Sequence, residues 1–150
     1  MRLLIQRVSR ASVQVDGKLC GSIGRGILVL IGIGKGDSPK DADYLADKLV
    51  NLRIFPDDQG RMNRSALDTG AGLLLISQFT LYGDCSRGRR PGFDAAAAPE
   101  AARELYEYFL KKTAEKGLDT QSGVFQAHME VELVNDGPVT LLLESPAVKA

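Results

Sequence analysis

The sequence predicts an α/β fold: one mixed, strongly curled, barrel-like sheet with two helices packed outside it, in the order βββ-α-β-α-ββ. Three observations lead there. Segments of β character separated by turn chemistry occupy both ends of the chain. A central apolar run, Gly26-Ile27-Leu28-Val29-Leu30-Ile31-Gly32, shows no alternation, as a strand covered on both faces requires. Two middle stretches begin at proline and carry apolar residues at helical spacing.

Taken in order, Met1–Val8 and Ala11–Val15 read as strands. Asp16-Gly17 then turns the chain, because both central residues of a type I′ turn need positive φ. Leu19–Ile23 returns, and the apolar run follows. The glycine-rich Gly32-Ile33-Gly34-Lys35-Gly36-Asp37 is read as a flexible loop. A dinucleotide fingerprint needs glycine where Asp37 stands, and a P-loop needs Ser or Thr where Gly36 stands.

The first helix has Ser38 as N-cap, Pro39 at N1 and Asp41 at N3, with Leu45, Leu49 and Leu52 as its buried stripe. Pro56–Gly60 is turn chemistry. Leu73–Leu81 is a strand that runs into the polar stretch Tyr82–Gly92. The second helix opens at Pro99, carries Ala102, Leu105, Tyr106, Phe109 and Leu110 on one face, and has Gly117 placed as its C′ residue. Two last strands, Phe125–Val134 and Val139–Leu143, flank Asn135-Asp136-Gly137-Pro138. No repeat or linker divides the chain, so residues 1–150 are expected to form one domain.

Composition narrows the function. Apolar residues make up 44% and charged residues 25%, an ordinary globular balance that needs no disulfide staple. Basic and acidic residues both number 19, which removes any whole-protein attraction to a polyanion or a membrane but leaves room for a local patch. Cys20 and Cys85 are the only cysteines and form no CxxC pair, arguing against a zinc knuckle. Neither metal nor cofactor is expected. The apolar runs are far shorter than the roughly 18 residues of a spanning helix. Leu3-Leu4-Ile5 is too short for a secretory core, so the expected compartment is the cytoplasm.

The single histidine, His128, falls in an alternating stretch from Phe125 to Leu133. Period two puts it on the wet face with Gln126, Glu130 and Glu132, so the chemistry is expected to run without it. Three motifs remain. Arg87-Gly88-Arg89-Arg90-Pro91 is either a solvated loop or a phosphate contact for a polyanion. Ser77-Gln78-Phe79-Thr80 ends a hydrophobic strand, where it either faces a ligand or carries its own loop hydrogen bonds. Asn135-Asp136-Gly137-Pro138-Val139-Thr140 sets proline after glycine between strands, and by itself reads as a hairpin turn.

Together these segments closely resemble the D-aminoacyl-tRNA deacylases, also called D-tyrosyl-tRNA deacylases. The resemblance runs from Arg7-Val8 and Ala11-Ser12-Val13 through Asn51-Leu52-Arg53-Ile54-Phe55 and Met62-Asn63. It continues in Ser77-Gln78-Phe79-Thr80-Leu81, in Arg90-Pro91 with Phe93, and in Asn135-Asp136-Gly137-Pro138-Val139-Thr140. Two departures stand out. The family usually has a small residue where Gln126 stands and an acid where His128 stands, and Arg87–Arg90 is richer in arginine than the usual form. Both of the first pair lie on the face read as solvent.

The resemblance implies hydrolysis of the ester joining a D-amino acid to the 3′ end of tRNA, by a homodimer whose pocket is completed by the second copy. It implies a cis Gly137-Pro138 bond that acts as a chiral filter, steadied by Arg7. Two carbonyl oxygens near the substrate Cα would tolerate hydrogen and clash with an L side chain; glycine on a mischarged tRNA-Ala could pass. Ser77, Gln78, Phe79 and Thr80 become the catalytic segment. Backbone N–H groups of Phe79 and Thr80 would stabilise the oxyanion. Thr80 has been read as a nucleophile in this family; the alternative favoured here is that the terminal ribose 2′-hydroxyl assists water, because a threonine with no histidine or N-terminal amine nearby is poorly activated. Phe125 and Met129 would pack on the terminal adenine, and Arg87, Arg89 and Arg90 would meet tRNA phosphates. Neither membrane nor DNA is an expected partner. The rivals are a non-catalytic RNA-binding barrel and the animal-type branch that removes L-alanine from mischarged tRNA. That branch departs from the Ser-Gln-Phe-Thr signature, which is intact here.

Overall fold

The structure is a computed structural model that describes residues 1–147. The two expected N-terminal segments are one long strand, β1 (Arg2–Val15). Asp16 and Gly17 follow with φ of 51° and 75°, the double positive φ that the hairpin needs. They lead into β2 (Lys18–Ile23) and then β3 (Gly26–Gly32). Helix α1 (Pro39–Asn51) comes next, and its N-terminus is closed by Asp41, whose carboxylate accepts the Ser38 N–H at 2.8 Å. Leu45 and Leu49 are buried as the stripe requires, with Leu52 half-buried at the C-cap.

The small ribbon β4 (Phe55–Pro56) and β5 (Met62–Arg64) encloses the Pro56–Gly60 turn, and the one-turn helix α2 (Ala66–Thr69) follows. Strand β6 (Gly72–Ser77) is shorter than the expected Leu73–Leu81, since Phe79–Tyr82 form a 3₁₀ turn. Helix α3 (Pro99–Ala114) buries Leu105, Tyr106 and Phe109. Gly117, at φ 87°, lies one position further from the helix than the expected C′. The chain closes with β7 (Thr120–Ser122) and β8 (Glu130–Glu144).

β1 organises the sheet. Its first half pairs antiparallel with β3 and its second half with β2, while β8 runs antiparallel along its other edge from Arg2↔Glu144 to Gln14↔Glu130. β6 lies parallel to β3, and β7 parallel to β6. The sheet curls until β2 meets the far strands: a Cβ on Gly21 would lie 3.2 Å from the Cβ of Gln121. Gly26 and Gly72 face each other across β3 and β6 so closely that a Cβ on Gly26 would come 2.0 Å from the Gly72 carbonyl oxygen.

Two cores follow from the alternation of β3 and β6. Ile27, Val29, Ile31, Leu73 and Leu75 face the helices, while Leu28, Leu74 and Ile76 face inward onto Val8, Val13 and Ile23. Both strands are therefore buried on both faces, and each fully buried Leu or Ile contributes about 1.5–3 kcal/mol.

Two expectations at the C-terminal end are corrected. Phe125–Met129 is a turn, with Gln126 at φ 66°, a left-handed backbone that no strand contains. Asn135–Thr140 is not a hairpin, because the segments on either side of it pair with the same strand, β1. Asn135 opposes Val8 and Thr140 opposes Gln6, so Asp136–Val139 bulges out beside Arg7.

Candidate active site

The C-terminal end of β6 opens onto a cleft of about 670 Å³. Ile31, Ile33 and Ile76 give it an apolar base; Ser77, Gln78 and Phe79 form one wall, and Phe125–Met129 another. The Gln78 N–H is still held as if in the sheet, donating to the Ile31 carbonyl at 2.7 Å. The chain then tightens: the Leu81 N–H donates to the Gln78 carbonyl, and the Gly83 N–H to that of Thr80 at 2.9 Å. The first N–H groups of a helical turn have no internal acceptor. Those of Phe79 and Thr80 accordingly have no hydrogen-bond partner among the described residues, and both residues are exposed. Two free backbone donors at the mouth of a cleft are what a developing oxyanion requires.

Thr80 itself lies outside the lining, its hydroxyl accepting a hydrogen bond from the Gln78 side-chain amide. Among the described residues no base is hydrogen-bonded to that hydroxyl, so none activates the threonine as a nucleophile. Phe125 and Met129 line the cleft, and Gln126 and His128 line it too. The latter two are exposed, as the alternation predicted, but this wet face also borders the cleft, because the chain here makes a left-handed turn at Gln126 and is not a strand. Phe125 is gripped from α3: the Tyr106 ring centroid is 5.5 Å away and the Arg103 guanidinium stands 4.8 Å over its face. Arg103 also donates to the Gln126 side-chain oxygen at 3.2 Å. Burial pushes the Tyr106 phenol up to about 12, and its hydroxyl donates to the Leu75 carbonyl at 3.3 Å.

The remaining residues fall into two groups. The bulge is held by Arg7, whose Nε donates to the Asp136 carbonyl at 2.8 Å and whose Nη1 donates to that of Ile54 at 2.7 Å. Asn135 clamps it from within, accepting the Val139 N–H at 2.7 Å and donating to the Val139 carbonyl at 3.1 Å. The Gly137-Pro138 bond is cis, and Gly137 sits at φ 148°, a region that excludes most side chains. This group does not line the cleft. Arg87, Arg89 and Arg90 occupy an exposed loop pinned at its base by paired bonds between Asp84 and Gly92, and they too stay outside the lining. Phe93, next along, does line it, packed edge-on against Phe79 with ring centroids 5.0 Å apart.

Sequence reasoning gave no site role to Phe93, Arg103, Gln126 or His128. Phe93 has a weak signal, an aromatic following a Gly/Pro-rich turn. Arg103 has none, since an arginine on a helix's polar face is commonplace. Among the described residues no three or more His, Cys, Asp or Glu side chains gather as metal ligands, and no helix is long and apolar enough to cross a membrane.

Residues 4–144 match the family described as D-Tyr-tRNA(Tyr) deacylase. The chain belongs to this family. The deacylase is 61% identical over 149 residues to the D-aminoacyl-tRNA deacylase of Geotalea uraniireducens, covering 99% of this chain and 96% of the relative. It is 56% identical over 148 residues to that of Fervidobacterium nodosum, covering 99% of each. Among solved structures, one described as a c-Myc DNA Unwinding Element Binding Protein superimposes with a TM-score of 0.92 at 41% identity, covering 98% of this chain and 100% of that one. A second, described as a probable eukaryotic D-amino acid tRNA deacylase, gives a TM-score of 0.82 at 19% identity and covers 95% of this chain and 98% of that one, a likeness of fold. The deacylase is thus an enzyme of a hydrolase family with a curled, nearly closed sheet.

Proposed function

We propose that the deacylase is an editing enzyme that hydrolyses the ester of D-aminoacyl-tRNA, releasing the free D-amino acid and tRNA. The observation that carries the chemistry is the pair of unpartnered Phe79 and Thr80 N–H groups at the cleft mouth. Water attacks the ester carbonyl carbon, the oxyanion forms against these two donors, and the bond to the ribose 3′ oxygen breaks as that oxygen takes up a proton. An aminoacyl ester is already activated, and the terminal ribose 2′-hydroxyl assists the water. The apolar cleft takes the terminal adenine against Phe125 and Met129, while Arg87, Arg89 and Arg90 meet the tRNA phosphates.

Chirality is selected by a second copy of the chain, whose Gly137-Pro138 bulge enters the cleft and presents its carbonyls to the substrate Cα. Three features support this reading. The bulge is rigidly held by Arg7 and Asn135, and it is unused by the cleft of its own protomer. β8 also leaves Val134 and Leu142 exposed on one face, opposite Arg10 and Leu4 of β1, apolar surface suited to a homodimer contact. The filter rejects L-substrates and ignores the side chain, so glycyl-tRNA also passes. The work is placed in the cytoplasm, where charged tRNA is used.

The deciding experiment compares release of D- and L-tyrosine from one charged tRNA, in the presence of chelator. Rapid release of the D-amino acid with the L-ester left intact is the expected result. Equal loss of both esters would refute the filter. Salt-dependent binding without release would favour the non-catalytic RNA-binding barrel.

A further inference from the structure

The wall of the cleft opposite Ser77–Phe79 has a feature that the proposed chemistry does not use. Gln126 adopts a left-handed backbone at φ 66°, a conformation that glycine takes freely and a side-chain-bearing residue resists. Within the turn around it the Ala127 N–H donates to the Val124 carbonyl at 3.2 Å. The ends of the turn are fixed by the Gly123 N–H, which donates to the Leu75 carbonyl at 3.1 Å, and by Met129 packed on the inner core, while Phe125 and Gln126 between them are held from α3. Arg103 spans it, its guanidinium over the Phe125 ring at 4.8 Å and its Nη2 donating to the Gln126 side chain at 3.2 Å. Tyr106, one helical turn further along, supports Phe125 from beneath and is itself anchored to the Leu75 carbonyl of β6. Two successive residues of the turn are therefore tied to a single exposed arginine.

We propose that Arg103 is a positioning residue for the substrate's terminal nucleoside: it latches Phe125 and Gln126 so that the 125–129 turn stands as a fixed wall of the cleft. The latch matters because Gln126 would otherwise relax out of its left-handed conformation and carry Phe125 with it. This inference rests on the reading of the cleft as the site of the terminal adenosine. The coupling is specific: with glycine at position 126 the backbone is at ease, and much of the need for the latch disappears.

The test is a double-substitution cycle on the full-length protein, using Arg103→Ala, Arg103→Lys, Gln126→Gly and Arg103→Ala/Gln126→Gly. Steady-state hydrolysis of D-tyrosyl-tRNA gives the first readout. Arg103→Ala is expected to raise KM about fivefold with kcat within twofold, since the wall binds the nucleoside and does not touch the reacting ester. Arg103→Lys, which keeps the cation over the ring, recovers part of the loss. In the Gln126→Gly background, removing Arg103 raises KM less than twofold. Amide hydrogen exchange across residues 123–129 gives a second readout that needs no activity: Arg103→Ala speeds exchange in the parent and far less beside Gln126→Gly. An equal KM penalty in both backgrounds would show that Arg103 meets the tRNA directly and would overturn the latch. Unchanged exchange in Arg103→Ala would overturn it as well. If exchange responds as expected while KM does not, the latch stands and the assignment of the cleft to adenosine is what fails.

Discussion

Gly137→Ala separates the bulge from the cleft as sources of activity. At φ 148° a residue bearing a Cβ is held in a sparsely populated conformation, at a cost of about 1–3 kcal/mol. The added Cβ would also lie 2.8 Å from Cγ2 of Val139 and 3.1 Å from Nη2 of Arg7. Moving that guanidinium weakens its bonds to the Asp136 and Ile54 carbonyls, each of a kind that contributes about 1.5–3 kcal/mol. A net penalty of about 2–4 kcal/mol on the competent bulge corresponds to a fall of roughly 30- to 1,000-fold in kcat/KM for D-tyrosyl-tRNA. The bulge is exposed and can yield locally, so the urea midpoint should move far less than the activity. Under the proposed filter L-tyrosyl-tRNA should remain charged, because the substitution leaves the backbone carbonyls of 137 and 138 in place. Single-turnover deacylation of both esters, paired with urea unfolding of the same preparation, measures all three quantities. A folded variant with undiminished kcat/KM would refute the reasoning.

Three other substitutions probe the rest of the molecule. Thr80→Ala removes the acceptor used by the Gln78 amide, and the loss of one such bond should slow D-tyrosyl-tRNA hydrolysis about fivefold without abolishing it. A covalent aminoacyl adduct on Thr80, seen by mass spectrometry, would contradict that outcome, whereas tRNA ending in 2′-deoxyadenosine should be hydrolysed far more slowly. Gly26→Ala drives a Cβ to within 2.0 Å of the Gly72 oxygen and should lower stability by about 3 kcal/mol or more, read from the urea midpoint. Tyr106→Phe should lose about 1 kcal/mol at neutral pH with the bond to Leu75. Above pH 10 the order changes. An unfolded tyrosine ionises near 10, whereas burial holds Tyr106 protonated up to about 12, so the unfolded chain binds fewer protons in that window. Parent stability therefore falls as pH rises, by at most about 1.4 kcal/mol per unit from this group. The Phe variant should show a shallower decline.

Where a pattern has one physical cause, the sequence predicts the structure well. The unbroken apolar run of β3 means burial on both faces, and both cores lie against it. Ser38, Pro39 and Asp41 mark the start of α1 because a helix N-terminus must satisfy its own donors. Alternation from Phe125 to Met129 is different. A turn that crosses the cleft rim also exposes every second residue, so period two could not reveal the left-handed step at Gln126. The Asp136–Val139 bulge looks like a hairpin because its neighbours have strand character on both sides, and only their common partner, β1, shows otherwise. The cleft brings together β6, α3 and the 125–129 turn, and no local pattern encodes such an encounter. The family resemblance singled out Ser77–Thr80, Phe125 and Met129, which spacing alone left open, and the structure gathers all of these but Thr80 around one cleft.

The pairing of Arg2 with Glu144 makes one hydrogen-bonded strand pair span nearly the whole chain. The β3–β6 pair and the two long helices can assemble from the middle of the sequence, but the second edge of β1 stays bare until residues 130–144 arrive. Such long-range closure is slow, on the order of milliseconds to seconds for sheets rich in distant contacts. An emerging chain must therefore keep an unpaired, partly apolar strand out of contact with its neighbours during that wait. A chain cut short before Glu130 never leaves that condition, and aggregation rather than partial activity is its expected fate.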